Sequence, residues 1–257
     1  MVKIITRKIK DVEKLENALL IEELPGIGHV GRLAAEHLVH EFNGEKFLEL
    51  FCYDFPPQVL VKDDGTIEYM CASFYRIEEP KPMIIVVGNT QALSPIGQYH
   101  LSEEIVKIGI EYGANFVYTF GGFGTGKISE EIKVYGATTK KELAEKIKEY
   151  GIVFRTDGGG IVGAAGLMLL FADLNNIPGI CLMGETPGYF IDPNAAKAVL
   201  EKFGKIENIE INLEELEKRA KGMEEFFDKI RKFEEEMIKN LQQQKKPAHD
   251  DDLRYIG

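Results

Sequence analysis

The feature that most constrains the fold is a series of short, almost wholly apolar segments separated by helix-like segments. Segments without polar alternation are typical of strands that are buried on both faces of a parallel sheet. The clearest are Met83–Gly88, Asn115–Phe120 and Pro178–Met183. Helical periodicity, as in Tyr99–Tyr112, places helices between successive strands. The alternation predicts a three-layer α/β fold with a mostly parallel sheet.

Further elements follow from the same patterns along the chain. Asp192 and Pro193 are residues that favour the N-cap and the first turn of a helix, so a helix is expected to start there. The remaining expected strands are Asn17–Glu23, Lys46–Phe55 and Ile152–Phe154. A hairpin is expected between Gln58–Val61 and Thr66–Ile77, with its turn at Asp63-Asp64-Gly65. The remaining expected helices are one that ends at about Phe42, one over Lys140–Tyr150 and one over Ile161–Asn175.

Composition excludes several classes of protein. The chain has 257 residues, of which 44% are hydrophobic, so it buries a substantial core and is not disordered throughout. Its net charge of −11 opposes binding to nucleic acid. The longest apolar region, Ile161–Ala172, is too short to cross a membrane. Three dispersed cysteines and no signal-peptide pattern favour a cytoplasmic protein with reduced thiols.

Charge density divides the chain into three parts. Residues 207–257 carry 24 of the 73 charged residues, which separates them from an α/β core domain at 1–206. Residues 207–241 are predicted to be a long amphipathic helical extension. Its helix is expected over Leu213–Leu241, where apolar residues with heptad-like spacing form a stripe that begins at Leu216. Its larger apolar residues are a predicted oligomer interface, although the helix could instead fold back on its own sheet; they are Met223, Phe226, Phe227, Ile230 and Phe233.

Residues 242–257 are predicted to form a flexible tail, because 242–252 have no apolar periodicity. Three large apolar side chains nevertheless lie near the chain end, which favours a docking peptide for a protein partner over a segment that packs on its own domain. The predicted partner-binding residues are Leu253, Arg254, Tyr255, Ile256 and Gly257.

Two glycine motifs resemble nucleotide sites by spacing. Gly26-x-Gly28-x-x-Gly31 has the dinucleotide-binding spacing between a strand and a helix. A dinucleotide site also requires an acidic residue at the end of the next strand, about 20 residues further on. Glu49 has nearly this spacing but lies within the strand, and Asp54 lies at the strand end but too far along the sequence. Tight packing of strand and helix is the favoured interpretation.

The second motif, Gly121–Lys127, has the spacing of a phosphate-binding loop, but Ile128 replaces the expected Ser or Thr. We therefore expect residues 121–126 to be an ordinary loop. A third glycine run at 158–160 is interpreted as helix capping.

No catalytic or metal-binding set can be assembled from the sequence. His37 and His40 lie one helical turn apart, but no third or fourth ligand is indicated, so they are interpreted as surface residues. No nucleophile–base motif is present. We expect no enzyme activity, no cofactor and no metal.

Six short segments, in this order, resemble the proteasome assembly chaperone family in its archaeal branch. The resemblance spans residues 15–240, approximately. The segments are Leu24–Gly31 (LPGIGHVG), Gly88–Gln91 (GNTQ), Thr119–Phe123 (TFGGF), Gly163–Leu167 (GAAGL), Gly184–Gly188 (GETPG) and Asp192-Pro193.

The resemblance implies a fold similar to nucleoside phosphorylases without their chemistry. It also implies self-association and a non-catalytic role with proteasome subunits. Family members that bind the proteasome ring can use a C-terminal hydrophobic–Tyr–any tripeptide; here Tyr255 is third from the end rather than second. The alternative hypothesis is an enzyme or sensor that binds a nucleoside or nucleotide at the glycine-rich loops.

Overall fold

Ten strands and five α-helices are present in residues 2–129 and 131–218, the part of the chain that the computed structural model describes. The strands are β1 (Ile4–Lys8), β2 (Ala18–Glu23), β3 (Glu45–Cys52), β4 (Val59–Val61), β5 (Ile67–Tyr69), β6 (Ala72–Ile77), β7 (Met83–Gly88), β8 (Ala114–Gly124), β9 (Val134–Thr138) and β10 (Gly179–Thr186). The helices are α1 (Val30–Glu41), α2 (Pro95–Glu111), α3 (Lys141–Lys148), α4 (Ala164–Leu174) and α5 (Pro193–Glu207). Residues 214–218 are also helical.

Eight of the strands form one mixed sheet in the order β1-β3-β6-β7-β2-β8-β10-β9. Its centre, β7-β2-β8-β10, is parallel throughout. On one side of this centre β6 pairs antiparallel with β7, and on the other side β9 pairs antiparallel with β10. Beyond β6, β3 pairs antiparallel with β6 and β1 pairs antiparallel with β3. Strand β3 therefore runs in the same direction as the four central strands, which confirms the prediction of a mostly parallel sheet. Strands β4 and β5 form a separate ribbon.

Alternating side chains of the central strands enter two separate cores. In β2, Leu20 packs on the side of α2 and α4, whereas Leu19 and Ile21 pack on the side of α1 and α5. Strand β7 alternates in the same way, with Ile84 on the first side and Ile85 on the second. The predicted three-layer arrangement is therefore confirmed. The likeness to nucleoside phosphorylases stays a prediction.

The largest difference from expectation is the length of β8. Residues Gly121–Gly124, expected to be a loop, continue this strand and pair with Met183–Thr186 of β10. Glycine is needed here because a Cβ at Gly122 would lie 2.3 Å from the carbonyl oxygen of Ile27. The turn before α1 therefore packs directly on the backbone of the strand.

Other differences concern element boundaries. Helix α4 begins at Ala164 rather than Ile161, because Gly158, Gly159 and Gly163 have positive φ angles that interrupt a helix. The expected strand Thr66–Ile77 divides into β5 and β6, the expected strand at 152–154 is reduced to one bridge, and β1 and β9 are additional strands.

The first residue of the predicted C-terminal stripe packs against the α/β fold. Leu216 is 1% exposed and belongs to the same core as α1 and α5. Beside it, the carbonyl oxygen of Asn212 lies 2.7 Å from Nε2 of His37. His37 is therefore buried rather than at the surface as expected, and it joins α1 to the segment that precedes the stripe. Among the described helices, none is long and apolar enough to cross a membrane.

Candidate functional site

A cleft of about 1090 Å³ opens at the carboxyl ends of β2, β8 and β10. Ligands of α/β proteins bind at this edge of the sheet, in the crevice beyond the carboxyl ends of the strands. The structure brings all three predicted glycine motifs to this cleft: Gly26 and Gly31, Gly121–Gly124, and Gly159 with Gly160 line it. It is therefore the candidate functional site of the described chain.

The first glycine motif is explained by packing. A Cβ at Gly31 would lie 2.5 Å from the carbonyl oxygen of Phe120 and 2.8 Å from Cγ of Glu23. Gly28 has φ = 64°, and a Cβ there would lie 2.9 Å from Oγ1 of Thr186. Gly31 lies where α1 approaches β2 and β8, and Gly28 lies where the turn before α1 approaches β10, so glycine is required at both positions whether or not a ligand binds.

The acids considered for a dinucleotide site are occupied elsewhere. Glu49 forms ion pairs with Arg7 and Lys46. It lies on β3, which is separated from β2 by β6 and β7. Asp54 accepts hydrogen bonds from the amide and hydroxyl of Ser94, at 2.6 and 2.9 Å, and so fixes the start of α2. Neither carboxylate lines the cleft.

The second and third glycine motifs also lack the parts of a phosphate site. A phosphate-binding loop is followed by a helix whose N-terminus faces the phosphate. Residues 125–133, described except for Glu130, contain no helix and lead into β9. After the third motif, α4 starts four residues beyond Gly160, and the nearby Arg155 pairs with Asp157.

Two consecutive buried carboxyl groups lie at the end of the central strand β2. Glu22 and Glu23 are each 2% exposed, both line the cleft, and in each the Oε2 atom has no hydrogen-bond partner among the described residues. The sequence pattern predicts only that they end the strand Asn17–Glu23. The available signal was their position, because two adjacent residues of a strand buried on both faces cannot both turn to solvent.

Burial changes the ionisation of both carboxyl groups. Loss of solvent raises the pKa of Glu22 to about 8, against a smaller opposing contribution from the backbone amide of Leu24. Burial, together with the charge of Glu22, also raises the pKa of Glu23 well above its ordinary value. Arg32 opposes this second shift. Perturbed acids in a cleft are a recognised sign of a functional site.

The remaining polar groups of the cleft are neutral. Gln98 donates to Oε1 of Gln91 and to the carbonyl of Ala92, at 2.9 and 2.7 Å, and its own Oε1 is buried without a partner among the described residues. The lining residues, all of which lie in the described part, include no Lys, Arg or His. An anionic phosphate would therefore meet two acids and no base.

The described cysteines and histidines do not form a reactive centre. Cys52, Cys71 and Cys181 are free and buried, and burial raises the pKa of the Cys181 thiol to about 12, which keeps it in the unreactive form. Nowhere in residues 2–129 and 131–218 do three or more His, Cys, Asp or Glu side chains come together as a metal site requires.

The other predicted site residues lie beyond the part of the chain described. The predicted oligomer interface (Met223, Phe226, Phe227, Ile230 and Phe233) and the predicted partner-binding tail (Leu253, Arg254, Tyr255, Ile256 and Gly257) are outside the described residues.

Known proteins resemble the chain over almost its whole length. The model of the PAC2 family matches residues 20–231. An uncharacterized protein of Methanocaldococcus jannaschii is 84% identical over 257 residues, which are 100% of this chain and 99% of the relative.

Two crystal structures show the same fold. Pyrococcus furiosus PbaB, described as an archaeal proteasome activator, superposes with a TM-score of 0.84 at 35% identity, covering 90% of this chain and 100% of PbaB. Pyrococcus furiosus PbaA, described as an archaeal homolog of proteasome-assembly chaperone, superposes with a TM-score of 0.75 at 26% identity, covering 93% of this chain and 97% of PbaA.

Proposed function

The chain belongs to the PAC2 family, and on that premise we propose that it is a non-catalytic, proteasome assembly chaperone-like scaffold of the cytoplasm. The observation that carries the proposal is the similarity to PbaB, which extends over 90% of this chain at 35% identity. In this proposal the protein self-associates and binds protein partners, such as proteasome subunits, through residues Leu253–Gly257. Several tails on one oligomer would strengthen binding through avidity.

The surface of the core domain supports self-association. Helix α4 contains one charged residue, Asp173, yet Leu170 and Leu174 on its outer side are exposed. Ile96 and Tyr99 of the neighbouring α2 are exposed as well. A surface helix that is apolar on its outer side is typical of a subunit contact. We propose that a second copy of this chain covers this surface, and that the stripe from Met223 to Phe233 adds to the interface.

A binding experiment tests the role of the tail. The full-length protein, a chain that ends at Gln244, and Tyr255→Ala are each immobilised and exposed to purified archaeal proteasome particles. We expect the full-length protein to retain the particles, and the shortened chain and Tyr255→Ala to lose most of this binding. Tyr53→Ala is the matched control, since Tyr53 is exposed on the core domain. Equal retention by all four proteins would contradict the proposed tail function.

Light scattering tests the two proposed contact surfaces separately. Phe226→Glu with Phe227→Glu addresses the predicted extension, and Leu170→Glu with Leu174→Glu addresses α4. We expect a lower mass for at least one of these double variants than for the unmodified protein. An unmodified protein with the mass of a single chain would contradict self-association altogether.

The alternative function is binding of a nucleoside or nucleotide in the cleft. Its position at the carboxyl edge of the sheet favours a ligand, but its charge opposes a phosphate. Calorimetry with NAD, ATP, free nucleosides and phosphate tests this alternative. Absence of binding at millimolar concentration would remove it.

A further inference from the structure

Three oxygen atoms in the cleft share an unusual state. Oε2 of Glu22, Oε2 of Glu23 and Oε1 of Gln98 are buried, line the same cleft, and have no hydrogen-bond partner among the described residues. A buried acceptor without a donor is destabilising, and such groups are rare in folded proteins. Side chains of β2 alternate between the two faces of the sheet, so Glu22 lies with Leu20 on the side of α2, to which Gln98 belongs, whereas Glu23 lies against Gly31 of α1 on the other side. A ligand that brings several N–H donors to the α2 side satisfies Glu22 and Gln98 together.

The charge of the cleft selects among such ligands. The two carboxyl groups have one basic neighbour, Arg32, which lies near Glu23 and already donates a 2.8 Å hydrogen bond to Glu36. The Glu23 carboxyl also lies against the backbone amide of Arg32, in the first turn of α1. The protein's own acid thus occupies the helix N-terminus at which an anionic ligand would otherwise bind.

The size and walls of the cleft indicate the rest of the ligand. A volume of about 1090 Å³ is that of a small-molecule site rather than of a site for a single ion. Ile27, Leu93 and Val162 line it and are 50%, 69% and 95% exposed. These side chains give the cleft exposed apolar surface, which favours a ligand that joins a polar head to an apolar body.

We propose that the cleft binds a small organic cation, in which an ammonium or guanidinium head contacts Glu22 and Gln98 and an apolar body covers Leu93 and Val162, which lie just before α2 and α4. This binding site goes beyond the scaffold function and does not depend on the C-terminal tail. The ammonium donates its N–H groups to the unpartnered oxygens of Glu22 and Gln98. Its charge replaces the solvent that burial has removed from the Glu22 carboxylate.

Binding of a cation is linked to loss of a proton. The titratable neighbours of Glu22 are Glu23 and Cys181, and those of Glu23 are Glu22, Arg32 and Glu36. Below its raised pKa of about 8, Glu22 must release its proton before it pairs with the cation. Affinity therefore increases about tenfold between pH 6 and pH 7 and approaches its limit above pH 8.

Three probes with the same apolar body but different heads test the proposal. We suggest calorimetric titration with 2-phenylethylamine, 2-phenylethanol and phenylacetate at about pH 8.5, where the carboxylate is formed and the amine is still protonated. The amine is expected to bind at least about tenfold more tightly than the alcohol or the acid. Equal binding of the alcohol, tighter binding of phenylacetate, or no binding of the amine at about 10 mM would overturn the proposal.

Variants locate the binding within the cleft. Glu22→Gln is expected to weaken binding of 2-phenylethylamine by about tenfold or more, whereas Glu16→Gln, an exposed control just before β2, is expected to leave it unchanged. Amine binding that survives Glu22→Gln would overturn the site.

A measurement on the unmodified protein covers the case in which a variant fails to fold. Titrations at pH 7 in two buffers of different ionisation enthalpy report the protons released on binding, and we expect about one proton for each amine bound. Release of no proton would contradict the role of Glu22.

Discussion

Replacing Glu22 by Gln changes the pH dependence of stability in a direction that the buried carboxyl determines. Gln has nearly the same shape, so packing at the end of β2 is preserved, but it cannot ionise. Its amide also places new donors in the cleft, and their effect on the free energy of unfolding does not vary with pH. The informative quantity is therefore the difference between Glu22→Gln and the unmodified protein, followed as a function of pH.

The sign and size of the effect follow from the two pKa values. Below the ordinary value of 4.5, the carboxyl is protonated in both the folded and the unfolded chain, so it adds no pH dependence. Between 4.5 and about 8, the unfolded chain loses this proton while the folded chain keeps it. The free energy of unfolding then falls as pH rises, by about 3.5 kcal/mol between pH 5 and pH 8, and it becomes level above about pH 9.

Equilibrium unfolding in urea between pH 5 and pH 9 measures this difference. Urea is preferable to guanidinium chloride, because guanidinium is itself a cation of the class proposed for the cleft. We expect the free energy of unfolding of Glu22→Gln, relative to that of the unmodified protein, to increase as the pH rises to 8. Glu16→Gln is the control at an exposed site. If the difference between Glu22→Gln and the unmodified protein stays constant over this pH range, whatever its size, Glu22 ionises normally in the folded state and the reasoning is wrong.

Three further predictions concern the stability of the core domain, and urea unfolding at pH 7 measures each of them. Gly31→Ala is expected to destabilise the fold by about 1–3 kcal/mol, because its methyl group would collide with a carbonyl oxygen of β8; Gly160→Ala, with open space around it, should change stability by less than about 0.5 kcal/mol. Asp192→Ala is expected to lose about 1 kcal/mol, because its carboxylate accepts the amide three residues later at the start of α5. Leu216→Ala is expected to lose about 2–5 kcal/mol, whereas Leu93→Ala, at an exposed side chain, should lose far less.

The parts of the fold that were predictable from sequence are those in which local pattern and tertiary environment agree. Met83–Gly88 is apolar on both faces and lies at the buried centre of the sheet as β7. Asp192 caps α5 and Pro193 occupies its first position, as expected from their local conformational preferences. In these segments each residue favours by itself the structure that it adopts in the folded chain.

The missed elements form only because a neighbour is present. Strand β1 (IITRK) is mostly exposed, and its apolar pattern is weak, but it pairs with β3 from Ile4 to Lys8. The glycines of Gly121–Gly124 disfavour a strand intrinsically, yet β10 supplies their pairing partners and the turn at Ile27 leaves room for no side chain. Such elements depend on contacts between residues far apart in sequence, which a local pattern does not contain.

The glycine motifs show why spacing alone was an ambiguous guide to function. Glycine is required where one backbone segment approaches another too closely for a Cβ atom. It is required equally where a phosphate approaches the backbone closely. Gly31 and Gly122 meet the first requirement through the carbonyl oxygens of Phe120 and Ile27. The two cases are distinguished by charge, since a phosphate requires donors and bases while this cleft presents unpartnered acceptors and the acidic residue Glu22. The glycines therefore account for the shape of the cleft, and the buried acids determine which ligand it favours.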